Sequence, residues 1–176
     1  MTESEDLILV RRALQADPES FNKLCQRYYQ SLIAIADSIL LDVHLAEDAT
    51  QEALAIACRH LPKLKKPELF GPWIGAICRN VARDMLLKLL RERKVVNTHR
   101  IEEKDCIKDN EKVILDQALR QLPQNLREVV FLRYYNEKSY EQITKILGVT
   151  EQAIDGRLRR AKKKIATYMK RNGFGR

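Results

Sequence analysis

Ser139–Lys164 reads SYEQITKILGVTEQAIDGRLRRAKKK, and its punctuation decides the fold. Ser139 is a good helix N-cap, and Gln142 three residues on completes a capping-box pattern. Ile143, Ile146 and Leu147 fall on one helical face. Gly148 can take the left-handed conformation a tight turn needs, and Thr150 can cap a second helix. That helix carries an apolar stripe at Ile154, Leu158, Ala161 and Ile165. Two short helices at a steep angle around such a turn let the second lie in a major groove. From Arg157 to Arg176 there are nine basic residues and no Asp or Glu. A solvated helical hairpin would also carry charge. Here caps, turn, stripe and one-signed charge coincide, which points to DNA.

The charge is divided along the chain. Residues 1–90 hold 11 Lys+Arg and 12 Asp+Glu, a net of −1, whereas residues 91–176 hold 21 and 12, a net of +9. A near-neutral half joined to a strongly basic one suggests two jobs on one polymer. With only 6 Gly and 5 Pro in 176 residues, a helical protein is favoured over a turn-rich β fold. Cys25, Cys58, Cys78 and Cys106 form no C-x-x-C pair, and His44, His60 and His99 match no zinc spacing, so no metal is expected. Cys25, Cys58 and Cys78 sit in apolar helical contexts and read as small core residues of a reducing, cytoplasmic compartment. The acidic N-terminus is no signal peptide, and Ser31–Leu41 is too short to span a bilayer, so no membrane insertion is expected.

Apolar periodicity predicts helices over about 5–15, 18–41, 45–61 and 68–93, the second opened by Asp17 as cap and Pro18 at its first position. The inward residues of the fourth are expected to be Trp73, Ile77, Val81, Met85 and Leu89. Pro62 and Pro67 bound a loop. Residues 94–110 are polar and weakly periodic, and read as a linker. Helices over about 111–121 and 125–134 then lead into the helix-turn-helix. The fold class is all-α, with two small helical domains at 1–93 and 111–176 joined by a flexible linker.

Three further constellations stand out. Glu47, Asp48, Gln51 and Glu52 form an acidic and amide face opposite Ala49, Ala53, Leu54 and Ala57. Lys63, Lys65 and Lys66 make the loop between the prolines a basic protrusion, suited to an unstacked strand. Arg79, Asn80 and Arg83 cluster with Asp84, and Asn and Arg can bond base edges and phosphates. Each has an ordinary surface reading as well. No Gly-rich phosphate loop, nucleophile–base arrangement or ligand cluster appears, so no catalytic residue and no cofactor is expected.

Taken together, the segments DPESFNKLCQRY (17–28), AEDATQEAL (46–54), FGPWIGAICRNVARDML (70–86), LPQNLREVVFLRYYNEKSYEQITKILGV (122–149) and IDGRLRRAKKKI (154–165) resemble the small two-domain class of bacterial extracytoplasmic-function sigma factors. The resemblance covers residues 6–92 and 111–169. It implies a non-enzymatic protein that binds core RNA polymerase, directs it to promoter DNA and is held by an anti-sigma protein. It implies that Glu47, Asp48, Gln51 and Glu52 dock on the polymerase. Lys63, Lys65, Lys66, Arg79, Asn80 and Arg83 would read the minus-ten element. Thr150, Glu151, Gln152, Asp155, Arg157, Arg159, Arg160 and Lys163 would read the minus-thirty-five element. Cys58 stands where the family commonly has an aromatic residue, Asp155 where many relatives have Lys, and Gly156 where Ser is common. The rival readings are a conventional helix-turn-helix transcriptional regulator and a DNA recombinase with a helix-turn-helix tail. The first has no need of an acidic docking helix. The second needs a nucleophile that residues 1–90 do not offer.

Overall fold

Capping side chains set most of the helix boundaries. The computed structural model describes residues 5–96 and 110–174. After α1 (Glu5–Leu14), Asp17 accepts the Glu19 N–H at 3.1 Å and the Ser20 hydroxyl at 2.6 Å, opening α2 (Pro18–Leu40). Leu41 takes the left-handed conformation, φ 54°, and ends α2 by donating its N–H to Asp37. Asp42 then accepts the N–H groups of His44 and Leu45, so α3 (Val43–His60) starts two residues before the expected Leu45. The proline-bounded loop holds two single 3-10 turns, Leu61–Lys63 and Pro67–Leu69, before α4 (Phe70–Val96).

α2, α3 and α4 pack on one another, with α1 across α2. Ala46, Ala49, Ala53 and Ala57 of α3 are fully buried, and side chains this small let neighbouring helices approach closely. The buried stripe of α4 is Phe70, Ile74, Cys78, Val81 and Ala82, about one helical position away from the expected one. Phe70 is the reason. It enters the core edge-on to Tyr28 at 5.4 Å, leaving Trp73 at the rim against it. Cys58 is exposed because Ala57 takes the inward position, which corrects its expected place in the core. Burial holds the thiols of Cys25 and Cys78 protonated, pushed up to about 11 and about 12 respectively.

In the second half, α5 (Asn110–Arg120) and α6 (Gln124–Val130) precede a π-helical turn, Phe131–Tyr135, that periodicity does not announce. It stacks Tyr135 on Phe131 at 4.7 Å. The helix-turn-helix forms as read. Ser139 and Gln142 close the capping box, Gly148 has φ 66°, and Thr150 accepts the Ala153 N–H at 3.2 Å. These join α7 (Tyr140–Leu147) to α8 (Glu151–Arg171), whose Ile154, Leu158 and Ala161 are buried. Most of the expected linker, with His99 and Cys106, lies outside the described residues.

The two halves also pack together. α2 meets α6 and the π turn, α4 meets α7, and their buried apolar residues form one continuous core. The seam is close enough to require glycine twice. A Cβ on Gly71 would lie 2.3 Å from the Lys145 carbonyl oxygen, and one on Gly148 would lie 2.9 Å from Cγ of Pro72.

Gly156 carries no such constraint. It lies inside α8 with nothing within 4 Å of the position its Cβ would take. Gly156→Ala is expected to raise stability by about 1 kcal/mol through helix propensity alone, measured by urea unfolding. A loss of stability would mean that the glycine serves a contact not seen here.

Candidate nucleic-acid interface

Four surfaces follow from this packing. On α3, the small inward residues turn Glu47, Asp48, Gln51 and Glu52 outward, and all four are exposed. None of these acids forms an ion pair among the described residues. They make a continuous anionic stripe on a chain whose net charge is +8.

The loop between α3 and α4 is anchored, not free-standing. Leu61 is buried, Leu64 and Pro67 are half-buried, and both 3-10 turns pack against α1. Lys63, Lys65 and Lys66 are left in solvent on this rigid base.

Further along α4, the expected cluster divides. Asn80 is exposed. Arg79 turns toward the second half and donates from Nε to Glu128 Oε1 at 2.7 Å. Arg83 donates from Nε and Nη2 to Gln124 Oε1, at 3.3 and 3.1 Å. Neither Arg83 nor Asp84 forms an ion pair among the described residues. The structure therefore leaves the three lysines and Asn80 open, sets Arg79 against α6 with most of its side chain buried, and keeps Arg83 exposed while it bonds Gln124 at the surface. Glu128 and Gln124 escaped the sequence reading because they reach Arg79 and Arg83 across 49 and 41 residues. No local spacing signals such a pair.

On α8 the outward stripe is Gln152, Asp155, Arg159 and Lys163, opposite the buried Ile154, Leu158 and Ala161. Arg159 is 77% exposed and pairs with Asp155 at 3.0 Å, one turn back. Exposed pairs of this kind are worth little, so Arg159 is free to exchange partners. Thr150 is committed to its cap, while Glu151 and Gln152 stand in the exposed first turn. Two residues of the expected set leave the stripe. Arg157 is half-buried and turned toward the first half, lining a cavity of about 470 Å³ with Arg79, Arg83 and Glu128. Arg160 donates to the Gly156 carbonyl at 3.0 Å and borders a groove of about 490 Å³ between α5 and α8, beside Lys163, Lys164 and Tyr168. Lys162 sits 5.5 Å over the Tyr134 ring, and that hydroxyl raises its pKa. Among the described residues there is no group of three His, Cys, Asp or Glu able to hold a metal, and no helix is long and apolar enough to cross a membrane.

Known proteins with the same features are consistent with one another. The family described as Sigma-70 region 2 matches residues 24–92, and Sigma-70, region 4 matches residues 112–165. The RNA polymerase sigma-H factor of Pseudomonas aeruginosa is 25% identical over 94% of this chain and 94% of its own length. The ECF RNA polymerase sigma-E factor of Escherichia coli is 27% identical over 91% of this chain and 92% of its own. Among solved structures, CnrH in complex with the cytosolic domain of CnrY superposes with a TM-score of 0.61 and 22% identity, covering 96% of this chain and 99% of that one. The sigma factor RpoE from Bartonella quintana, in complex with the anti-sigma factor NepR, superposes with a TM-score of 0.53 and 23% identity, covering 84% and 97%. The fold is shared with both.

Proposed function

We infer, from the premise that this chain belongs to the sigma-70 family and to its extracytoplasmic-function class, that it binds core RNA polymerase and directs it to start transcription at particular promoters. Residues 1–93 form the polymerase-docking and minus-ten domain, and residues 111–176 form the minus-thirty-five domain. The observation that carries the reading is the α3 stripe. Glu47, Asp48, Gln51 and Glu52 are fully presented and bound to nothing in the fold, on a helix whose other side is packed alanine. A helix-turn-helix regulator that acts alone has no use for that surface. The chain works in the cytoplasm beside the polymerase, has no catalytic chemistry of its own, and is restrained by an anti-sigma protein.

On the DNA, the stripe from Gln152 to Lys163 enters the major groove of the minus-thirty-five element. Arg159 can give a guanine two hydrogen bonds, and Asp155 can accept from cytosine N4. Arg157 and Arg160 belong at the edges of that footprint, on phosphate. The lysine loop and Asn80 hold the unpaired minus-ten strand, and Arg79 and Arg83 bind its backbone or base edges.

The test compares two substitutions in the polymerase-bound protein. Arg159→Ala is expected to weaken binding by about 1–3 kcal/mol and to relax preference at one base pair. Lys163→Ala is expected to weaken all sequences alike and to flatten the salt dependence. Quantitative binding to a library of randomised minus-thirty-five duplexes separates them. If Arg159→Ala weakens every sequence equally, Arg159 reads phosphate and the proposed register of α8 is wrong.

A further inference from the structure

Cys25 and Cys58 lie level with each other on the α2–α3 pair. α2 ends at Leu40 and α3 begins at Val43, so the two helices run antiparallel from one tight connection. Cys25 lies fifteen residues before Leu40, and Cys58 lies fifteen residues after Val43. Each is therefore about 22 Å along its helix from the connection. One turn nearer the connection, Tyr29 and Leu54 keep the same register, and both are half-buried at the edge of the seam. A spacing of four residues keeps Cys25 in line with Tyr29, and Cys58 in line with Leu54, on that edge. The helices approach closely there, because Ala53 and Ala57 are fully buried.

The two thiols differ in access. Cys58 is exposed, whereas Cys25 is half-buried. Burial first, and then the charge of Cys58 itself, push the Cys25 thiol up to about 11. The charge on Cys58 thus reaches Cys25 across the seam. Cys78 stays apart. It is fully buried and donates to the Leu32 carbonyl at 3.4 Å.

We propose that Cys25 and Cys58 form a thiol–disulfide exchange site, which accepts low-molecular-weight disulfides and closes to an intramolecular disulfide between α2 and α3. The Cys58 thiolate attacks one sulfur of the small disulfide, forms a mixed disulfide and expels one thiolate. The Cys25 thiolate then attacks the Cys58 sulfur and expels the second. Two electrons pass from the cysteines to the small disulfide, and the two protons the cysteines give up end on the released thiols. Half-buried and with its pKa raised, Cys25 is a slow nucleophile toward reagents in solution. Held beside Cys58, it has one sulfur to reach, at high effective concentration. In a thiol-reducing compartment such a bond is transient and forms under oxidation.

The exchange also has a consequence that rests on the docking reading proposed above. Cys58 lies seven residues beyond Gln51, two helical turns along the same side of α3. A bulky adduct left on Cys58 extends onto the docking face, and attack by Cys25 removes it.

The test treats the folded full chain with glutathione disulfide, removes the reagent and maps tryptic peptides by mass spectrometry without reduction. Wild type should yield residues 24–27 joined to residues 28–59 by a disulfide, with no glutathione retained. Its urea midpoint should be higher than that of the reduced chain, because the bond restricts the unfolded state. Cys25→Ser should instead keep glutathione on Cys58, and Cys25→Ala serves where the serine disturbs the fold. Cys58→Ser should leave Cys25 unmodified. A wild type that retains glutathione on Cys58 overturns the proposal. So does a wild type left unmodified, or a cross-link from Cys58 to any other cysteine. Binding to core RNA polymerase after the reagent is removed measures the consequence separately. Oxidised wild type should keep its affinity, and glutathione-bearing Cys25→Ser should lose at least about tenfold. Equal affinity for both, with the peptides as expected, removes docking from this end of α3 and leaves the exchange site standing.

Discussion

With Asp48 and Glu52 both changed to Lys, the chain is expected to bind core RNA polymerase about a hundredfold more weakly, a loss of about 3 kcal/mol. The double change puts two like charges against the basic surface an acidic stripe must face, and such juxtapositions cost several kcal/mol. Both positions are exposed, on the side of α3 away from Ala49 and Ala53. Stability should therefore move by no more than about 0.5 kcal/mol. Binding of the free chain to a minus-thirty-five duplex should be unaffected, because α8 is on the other domain. Fluorescence anisotropy with labelled protein, paired with a urea titration, reads both quantities. Full affinity in a folded double mutant would remove the docking assignment.

The second large effect concerns strand opening. Changing Lys63, Lys65 and Lys66 together to Ala, or Asn80 to Ala, is expected to leave closed-complex formation nearly intact and to slow opening about tenfold or more, through contacts worth about 1–3 kcal/mol each. The lysines stand on a loop fixed by Leu61 and by packing on α1, so their removal leaves the base of the loop in place. Permanganate reactivity of unpaired thymines reports the open strand. A template with a pre-melted bubble should partly rescue these variants, since they act after unpairing. It should not rescue Arg159→Ala, which acts on the duplex. Normal opening of duplex promoters by the loop and Asn80 variants would show that the first domain does not hold the minus-ten strand.

Local chemistry made most of the fold legible. Asp17-Pro18, the Ser139–Gln142 box, Gly148 and Thr150 are each decided by hydrogen bonds within a few residues, and each forms as read. Asp42 was open to the same reasoning as an N-cap, but the apolar periodicity of α3 only becomes clear at Leu45. The face of α4 was misassigned because Trp73 and Phe70 are both large and apolar. In the fold Phe70 takes the core position, edge-on to Tyr28, and Trp73 is left at the rim. The π turn at Phe131–Tyr135 has no periodic signature, being one turn long. In the candidate site, exposed positions such as Asp48, Lys65, Asn80 and Arg159 follow from helix periodicity and loop composition. The fate of Arg79, Arg83 and Arg157 does not. It depends on how two helical units with separate sequence signals meet, and on side chains such as Glu128 that look ordinary within their own helix.

The most direct test of the central claim is to map transcript starts made in vitro by core RNA polymerase on genomic DNA of the organism that encodes the chain, with and without the protein. Starts should appear only when the chain is present and share a bipartite upstream pattern. Its upstream element should change its preference at one base pair when Arg159 is replaced by Ala. The contrary result is an unchanged set of starts with the protein added, together with nanomolar, sequence-specific duplex binding by the chain alone. That pair of findings would make it a helix-turn-helix regulator and not a sigma factor.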